Sequence, residues 1–428
     1  MDWIKEHIII SAVIVAVVIF LVTILVLNIS GPEKHIQKPL KHLYGVADTQ
    51  FMHELGTLLG PPVLDGNSIE DLQNGDEIFP AMLAAIRAAR HTITFETYIY
   101  WSGEIGKDFR EALVERAKAG VKVHVLLDWV GSQKMDGDTI PALRKAGVEV
   151  EQYHPLHWYS LARMNNRTHR KLLVIDGRVG FTGGVGIADQ WRGDAQNPDY
   201  WRDSHYRVEG PAVAQIQAAF VDNWMKTSGR VLQGKGYFPP LQPVGDRRAQ
   251  MFISSPRAGG DSMQLMYLLA LTAAERTIDL SAAYFVPDDF TRAAIIAAIA
   301  RGVRVRVIVP GKHIDTVVVG KASRETWGEL LKVGAEIHVF QPTMFHCKML
   351  VVDGQLVSVG STNFDNRSFR LNDEANLNVY DRPFAEKMTG IFEADMKRSK
   401  QMTFEEWQDR PWHERLMEKL AAMFASQL

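Results

Sequence analysis

The chain repeats itself, and that repeat limits its fold more than any other feature. The segment AARHTITFETYIYW, from Ala88, is matched by AAERTIDLSAAYFV, from Ala273. AKAGVKVHVLLDW, from Ala117, is matched by AIARGVRVRVIVPG, from Ala298, and LRKAGVEVEQY, from Leu143, by LLKVGAEIHVF, from Leu330. HRKLLVIDGRVGFTGG, from His169, is matched by HCKMLVVDGQLVSVGS, from His346. Each half runs strand, helix, strand, helix, strand, hairpin. The first helix of each half stops at a glycine, Gly120 or Gly302, as helices commonly do, and a Val-rich strand follows. Strands alternating with amphipathic helices indicate an α/β fold. A spacing of about 180 residues is far longer than a solenoid repeat and indicates a duplicated domain. Two similar lobes are expected, 60–240 and 245–400, related by a pseudo-twofold axis. The Pro- and Gly-rich stretch GKGYFPPLQPVGDRR, from Gly234, joins them.

The 428 residues leave a segment at each end. Residues 8–27 are apolar except for Ser11 and Thr23. As a helix this run spans about 30 Å, the thickness of a hydrocarbon core. A cleaved signal would have a shorter apolar region and a cleavage site, and a core helix would show a polar face. A retained transmembrane helix is expected, which makes 1–40 an anchor with its juxtamembrane segment. Lys34, Lys38 and Lys41 follow the run, with Glu33, whereas Asp2, Lys5 and Glu6 precede it. The basic excess puts the large domain on the cytoplasmic side. In the tail, 401–428, Trp412, Leu416, Leu420, Met423 and Phe424 fall at helical spacing, with Arg415 and Lys419 off the stripe. This amphipathic helix packs on the second lobe by default; the alternative is that it lies in a membrane interface.

The net charge is -2, with no basic excess to favour a nucleic-acid partner. Cys347 is the one cysteine, so neither an internal disulfide nor a Cys-rich zinc cluster can form. The oligomeric state is not legible.

The chemistry is concentrated in the last repeated pair. His169, Lys171 and Asp176 recur at the same spacing as His346, Lys348 and Asp353. On a strand, residues two apart share a face, so each half is expected to present an imidazole beside an ammonium. Two lysines can neutralise a phosphodiester and the charge its transition state gains. One histidine can attack phosphorus to form a phosphohistidine, and the other can protonate the leaving alkoxide and deprotonate the incoming alcohol. The scheme needs no metal and no cofactor, since lysine at the i+2 position is not a usual ligand. Asp176 and Asp353 belong to the motif, but each precedes a glycine at a hairpin turn, where a structural task suits them at least as well.

Two H-x-K-x-x-x-x-D motifs resemble the phospholipase D superfamily, and the resemblance covers nearly everything after residue 60. GSTNFDNRS is similar to that family's G-[ST]-x-N continuation, which implies that Ser361 and Asn363 line a phosphate pocket. Glu374, in LNDEANL, matches the acid that hydrogen-bonds a catalytic histidine, and Asp203, in WRDSHYRVEGPAV, looks like its counterpart. The first half departs from the pattern: Gly184 and Gly186 stand where the family has Ser/Thr and Asn. Backbone N–H groups of this Gly-rich loop could substitute.

Within the superfamily, the anchor together with NNRTHRKLLVIDG and NFDNRSFRLNDEANL looks most like bacterial cardiolipin synthases. That implies a phosphatidyltransferase of the inner membrane. It would hold the phosphatidyl group of one phospholipid, phosphatidylglycerol above all, on a histidine and pass it to the headgroup hydroxyl of another. The same residues serve a phospholipase D that delivers the group to water, or, less in keeping with the anchor and charge, a nuclease. Trp158 and Tyr159, just before the first motif, could rest at the bilayer interface.

Overall fold

The computed structural model describes residues 2–29, 36, 38–155, 165–255 and 262–424. Trp158, Tyr159, Glu33 and Lys34 lie outside them.

Among the described residues the first half contributes β1 (Leu64–Gln73), β2 (Thr92–Thr97), β3 (Lys122–Asp128), β4 (Glu149–Tyr153), β5 (Leu172–Ile175), β6 (Val179–Gly183) and β7 (Ser204–Glu209). The second contributes β8 (Arg247–Ser254), β9 (Thr277–Ala282), β10 (Phe285–Val286), β11 (Arg304–Pro310), β12 (Glu336–Phe340), β13 (Lys348–Val352), β14 (Leu356–Gly360), β15 (Phe364–Asp365), β16 (Glu374–Tyr380) and β17 (Ser399–Met402). The sheet order is β17-β12-β11-β9-β13-β14-β16-β8-β1-β7-β6-β5-β2-β3-β4. Without the extra edge strand β17, the order reads the same from either end. β2, β3 and β4 are parallel, as are β9, β11 and β12, and the strands nearer the centre are antiparallel. The pseudo-twofold relation passes between β1 and β8, which pair antiparallel.

Helices cover the sheet on both faces, so strands such as β2, β13 and β16 are buried at every residue, as a doubly covered sheet requires. Outer cores form in each half, around Phe95, Phe109 and Phe181 in the first and Tyr267, Leu280 and Phe364 in the second. A third core joins the halves, packing Phe220, Trp224 and Val208 with Met251, Val357 and Phe392. The halves therefore share one sheet and one central core.

A helix, Asp2–Ile29, forms where the apolar run lies. Its described side chains are His7 and those of 9–24, and from 9 to 23 all are exposed. Among the described residues no helix is long and apolar enough to cross a membrane, so the expected span is not established by them. The C-terminal helix, Trp412–Ala422, turns Glu414, Glu418 and Ala421 inward while Trp412, Leu416 and Leu420 stay exposed. The helix packs on the second lobe, as the default expectation has it, but its acidic groups and not its apolar stripe make the contact, meeting Arg324 and Arg410.

Candidate active site

Two short backbone bridges build the site. The segment ahead of β5 pairs with the segment ahead of β16: His169 N–H donates to Asp373 O at 2.8 Å, and Asp373 N–H to Arg167 O at 2.8 Å. The segment ahead of β13 pairs likewise with the segment ahead of β7: His346 N–H donates to Arg202 O at 2.8 Å, and Arg202 N–H to Met344 O at 2.9 Å. Both histidines thus precede their strands instead of lying within them, a correction to the expectation above. Each lands beside an acid of the opposite half. His169 Nδ1 lies 3.0 Å from both carboxylate oxygens of Glu374, and His346 Nδ1 lies 2.7 Å from Asp203 Oδ2.

With Nδ1 directed at a carboxylate, each ring keeps Nε2 for chemistry. His169, His346, Lys171, Asn363, Arg167, Arg367, Tyr98, Tyr284, Trp191 and Asp315 are among the residues lining one cavity of about 280 Å³. Each ammonium folds back on its own motif: Lys171 Nζ donates to His169 O at 2.7 Å and Lys348 Nζ to His346 O at 2.6 Å. Lys348 Nζ also lies 3.2 Å from His346 Nε2.

Burial sets the electrostatics. It pushes His169 down to about 4, against the pull of Glu374. It lowers His346 too, and there Lys348 adds to the effect. Lys171 falls to about 7, because burial and neighbouring Lys348 outweigh Glu374. Burial is the largest single influence on Glu374 and Asp203 and opposes their charge, yet the facing imidazole, the nearby lysine and the hydrogen-bond donors together outweigh it, and both stay below the ordinary carboxylate range. The protein therefore presents neutral imidazoles backed by ionised carboxylates, beside cations that an arriving anion would stabilise.

The remaining expected residues divide. Asn363 lines the cavity, but Ser361 does not. Its hydroxyl donates to Glu374 Oε2 at 2.5 Å and so braces the acid. Asp176 and Asp353 stand away from the cavity lining. Asp176 accepts from the N–H groups of Arg90, His91 and Thr92 at 2.7–2.9 Å, and Asp353 from those of Glu275, Arg276 and Thr277 at 2.7–2.9 Å. Both adopt positive φ, 53° and 54°, ahead of a glycine at 63°, the geometry of a hairpin turn. Each ties that turn to the start of the neighbouring strand.

The two glycines of the first half have a physical cause. A Cβ on Gly184 would lie 2.2 Å from Asp203 Oδ1, and one on Gly186 would lie 2.8 Å from Ile99 Cβ. Trp191 Nε1 donates to Asp203 Oδ2 at 2.9 Å, doing for Asp203 what Ser361 does for Glu374. The Gly184 N–H is already given to Ser204 O, which removes it as a phosphate donor. The sequence reading missed Trp191; a lone tryptophan just past the glycines was the available signal. Arg167, two residues before His169, and Arg367 were missed as well.

The family described as "Cardiolipin synthase, PLD-like domain" matches residues 82–198 and 267–396, one stretch in each half. The chain belongs to this family. It is similar to a cardiolipin synthase of Alkalihalophilus pseudofirmus, 32% identical over 402 residues, covering 93% of this chain and 79% of that protein. It is also similar to the major cardiolipin synthase ClsA of Bacillus subtilis, 34% identical over 364 residues, covering 84% and 75%. Among solved structures, phosphatidylserine synthase of Haemophilus influenzae shares the fold, with a TM-score of 0.71 at 13% identity, over 89% of this chain and all of that one. The matched stretches hold both His–Lys motifs and the His169–Glu374 pair, while Asp203, the partner of His346, lies just beyond the first of them.

Proposed function

We propose that the chain is a phosphatidyltransferase of the cardiolipin synthase type, acting on phosphatidylglycerol through a phosphohistidine. The observation that carries this reading is the placing of two histidines, each backed by an acid from the other half, on one cavity. Membership of the family and the names of its relatives favour cardiolipin as the product.

His169 is assigned as nucleophile. Its ring is neutral at physiological pH, and Glu374 accepts from Nδ1, which leaves the Nε2 lone pair to attack phosphorus. Lys171 and Lys348 offset the charge on the phosphoryl oxygens. The P–O bond to glycerol breaks as His346 gives its proton to the departing oxygen. The negative phosphodiester and Asp203 favour the imidazolium this step needs. The headgroup hydroxyl of a second phosphatidylglycerol then gives its proton to His346 and attacks phosphorus, freeing His169. The sum is two phosphatidylglycerols to one cardiolipin and one glycerol. Asp176 and Asp353 hold the turns that carry these strands.

The helix Asp2–Ile29 is proposed as a single-pass anchor in the bacterial inner membrane. It has 28 residues, about 42 Å at 1.5 Å per residue, and Ile9, Val13 and Phe20 are more than half exposed. Exposed Lys38 and Lys41 after it favour a cytoplasmic catalytic domain. The lobes keep the bounds 60–240 and 245–400. Purified full chain incubated with phosphatidylglycerol vesicles should yield cardiolipin and glycerol in equal amounts by mass spectrometry. Phosphatidic acid as the main product would make the protein a phospholipase D instead.

A further inference from the structure

We infer that the C-terminal helix, Trp412–Ala422, is an interfacial helix seated on an anionic lipid surface, and that the cleft behind it admits an acyl chain toward the catalytic cavity. The inference rests on the lipid-transferase reading above.

The helix is amphipathic but packed the unexpected way round. Its buried side is acidic: Glu418 meets Arg410 at 2.8 Å and Arg324 at 3.6 Å, and Glu414 meets Arg324 at 3.5 Å. Ala421 adds apolar packing inward, against Val319 and Ala322. The apolar stripe points away from the protein, with Trp412 71%, Met423 76% and Phe424 61% exposed. A helix that needed this stripe for its own stability would have buried it. Exposed apolar patches of this kind mark interaction surfaces.

Charge identifies the occupant. Glu418 is buried and Glu414 half-buried, each paired with arginine, whereas Arg415 and Lys419 are exposed beside the stripe. A second copy of the chain meeting the same face across a twofold would set these cations against themselves. An anionic bilayer complements them, and aromatic, aliphatic and basic groups together suit its headgroup layer.

Continuity with the active site supports the same occupant. A cleft of about 350 Å³ lies between this helix and the helix Val317–Lys332. Phe285, Ile314, Val317 and Trp327 supply its apolar wall, and Lys312, Lys321 and the paired Arg324, Glu414 and Glu418 also line it. Tyr284 and Val319 line both the cleft and the catalytic cavity. A lipid whose chain lies in the cleft can therefore hold its phosphate near the histidines.

The test uses full chain reconstituted in phosphatidylglycerol vesicles. Cys347 is buried, so a polarity-sensitive fluorophore can be placed on Leu416→Cys, with Glu111→Cys as a remote exposed control. The label at 416 should shift to the blue and be quenched by lipids brominated in the chain, while the label at 111 should do neither. A water-like label at 416 in membrane-bound protein would overturn the inference. So would a blue shift that appears in lipid-free detergent and grows with protein concentration, since a second copy would then cover the face. Phosphatidylglycerol bearing a chain-end diazirine should crosslink within 312–321, and crosslinks confined to other segments would remove the cleft. The triple variant Trp412→Glu, Leu416→Glu, Leu420→Glu alters exposed positions. It should raise KM for vesicle lipid about tenfold and leave turnover of a short-chain soluble phosphatidylglycerol unchanged. Equal losses on both substrates would contradict the inference. Wild-type protein that forms no cardiolipin while the label at 416 still shifts would instead sink the transferase reading alone.

Discussion

His169 takes its carboxylate partner from the other half of the chain: Glu374 lies 205 residues away in sequence and 3.0 Å away in space. His346 and Asp203 repeat the exchange in the opposite sense. Neither half holds a complete histidine–acid pair, which explains why the halves share a sheet and a central core. The bridges Thr168↔Asp373 and Arg202↔Phe345 create the exchange, because they set each histidine-bearing segment beside the acid-bearing segment of the other half.

The acids should matter for the state of the imidazole more than for its position. Glu374→Gln and Asp203→Asn keep the shape but offer an amide in place of a charge. Each should lower kcat by roughly 10²–10⁴, the scale seen when a histidine loses its orienting carboxylate in a serine protease. Thermal unfolding should change little by comparison. Steady-state kinetics on folded variants check this, with His169→Ala and His346→Ala as the limiting losses.

The motif aspartates should behave in the opposite way. Asp176 and Asp353 each satisfy three backbone N–H groups. Asp353→Ala should cost about 2–4 kcal/mol of stability, by loss of charge-assisted bonds to partly buried donors. Turnover per folded molecule should survive. Denaturant unfolding beside active-site-normalised rates separates the two effects.

Gly184→Ser would restore the family's usual residue in the first half, yet it should impair the enzyme. Its Cβ would fall 2.2 Å from Asp203 Oδ1 and displace the carboxylate from His346 and Trp191. A fall in kcat, with little change in vesicle binding, is expected from kinetics and flotation.

Lys171 gives the site a pH signature. Burial brings it down to about 7, so below pH 7 it is mostly an ammonium, and above pH 7 anion binding must take up a proton. Sulfate keeps its charge across this range. The Lys171 contribution to its affinity should be level below pH 7, and the affinity should fall up to tenfold per pH unit above it. Lys171→Met should flatten that dependence in calorimetric titrations.

The duplication, the order of strands and helices in each half, and the two His–Lys pairs were all legible in the sequence. They rest on local periodicity and on matched spacing, which one chain displays by itself. The exchange of acids was not, because Glu374 and Asp203 fit either histidine until the segments ahead of β16 and β7 are placed. Gly184 and Gly186 looked like missing phosphate ligands. The folded chain shows them to be space left for other side chains, Asp203 at Gly184 and Ile99 with Trp191 at Gly186. The tail was recognised as amphipathic, but which face packs depended on Arg324 and Arg410, two cations that local periodicity cannot bring together.

The most direct test of the account is the mapping of the covalent intermediate. Full chain turning over phosphatidylglycerol is quenched in alkali, digested and read by mass spectrometry. A phosphohistidine-linked phosphatidyl or phosphoryl remnant is expected on the peptide containing His169. An adduct on His346, or cardiolipin accumulating with no adduct on either histidine, would contradict it.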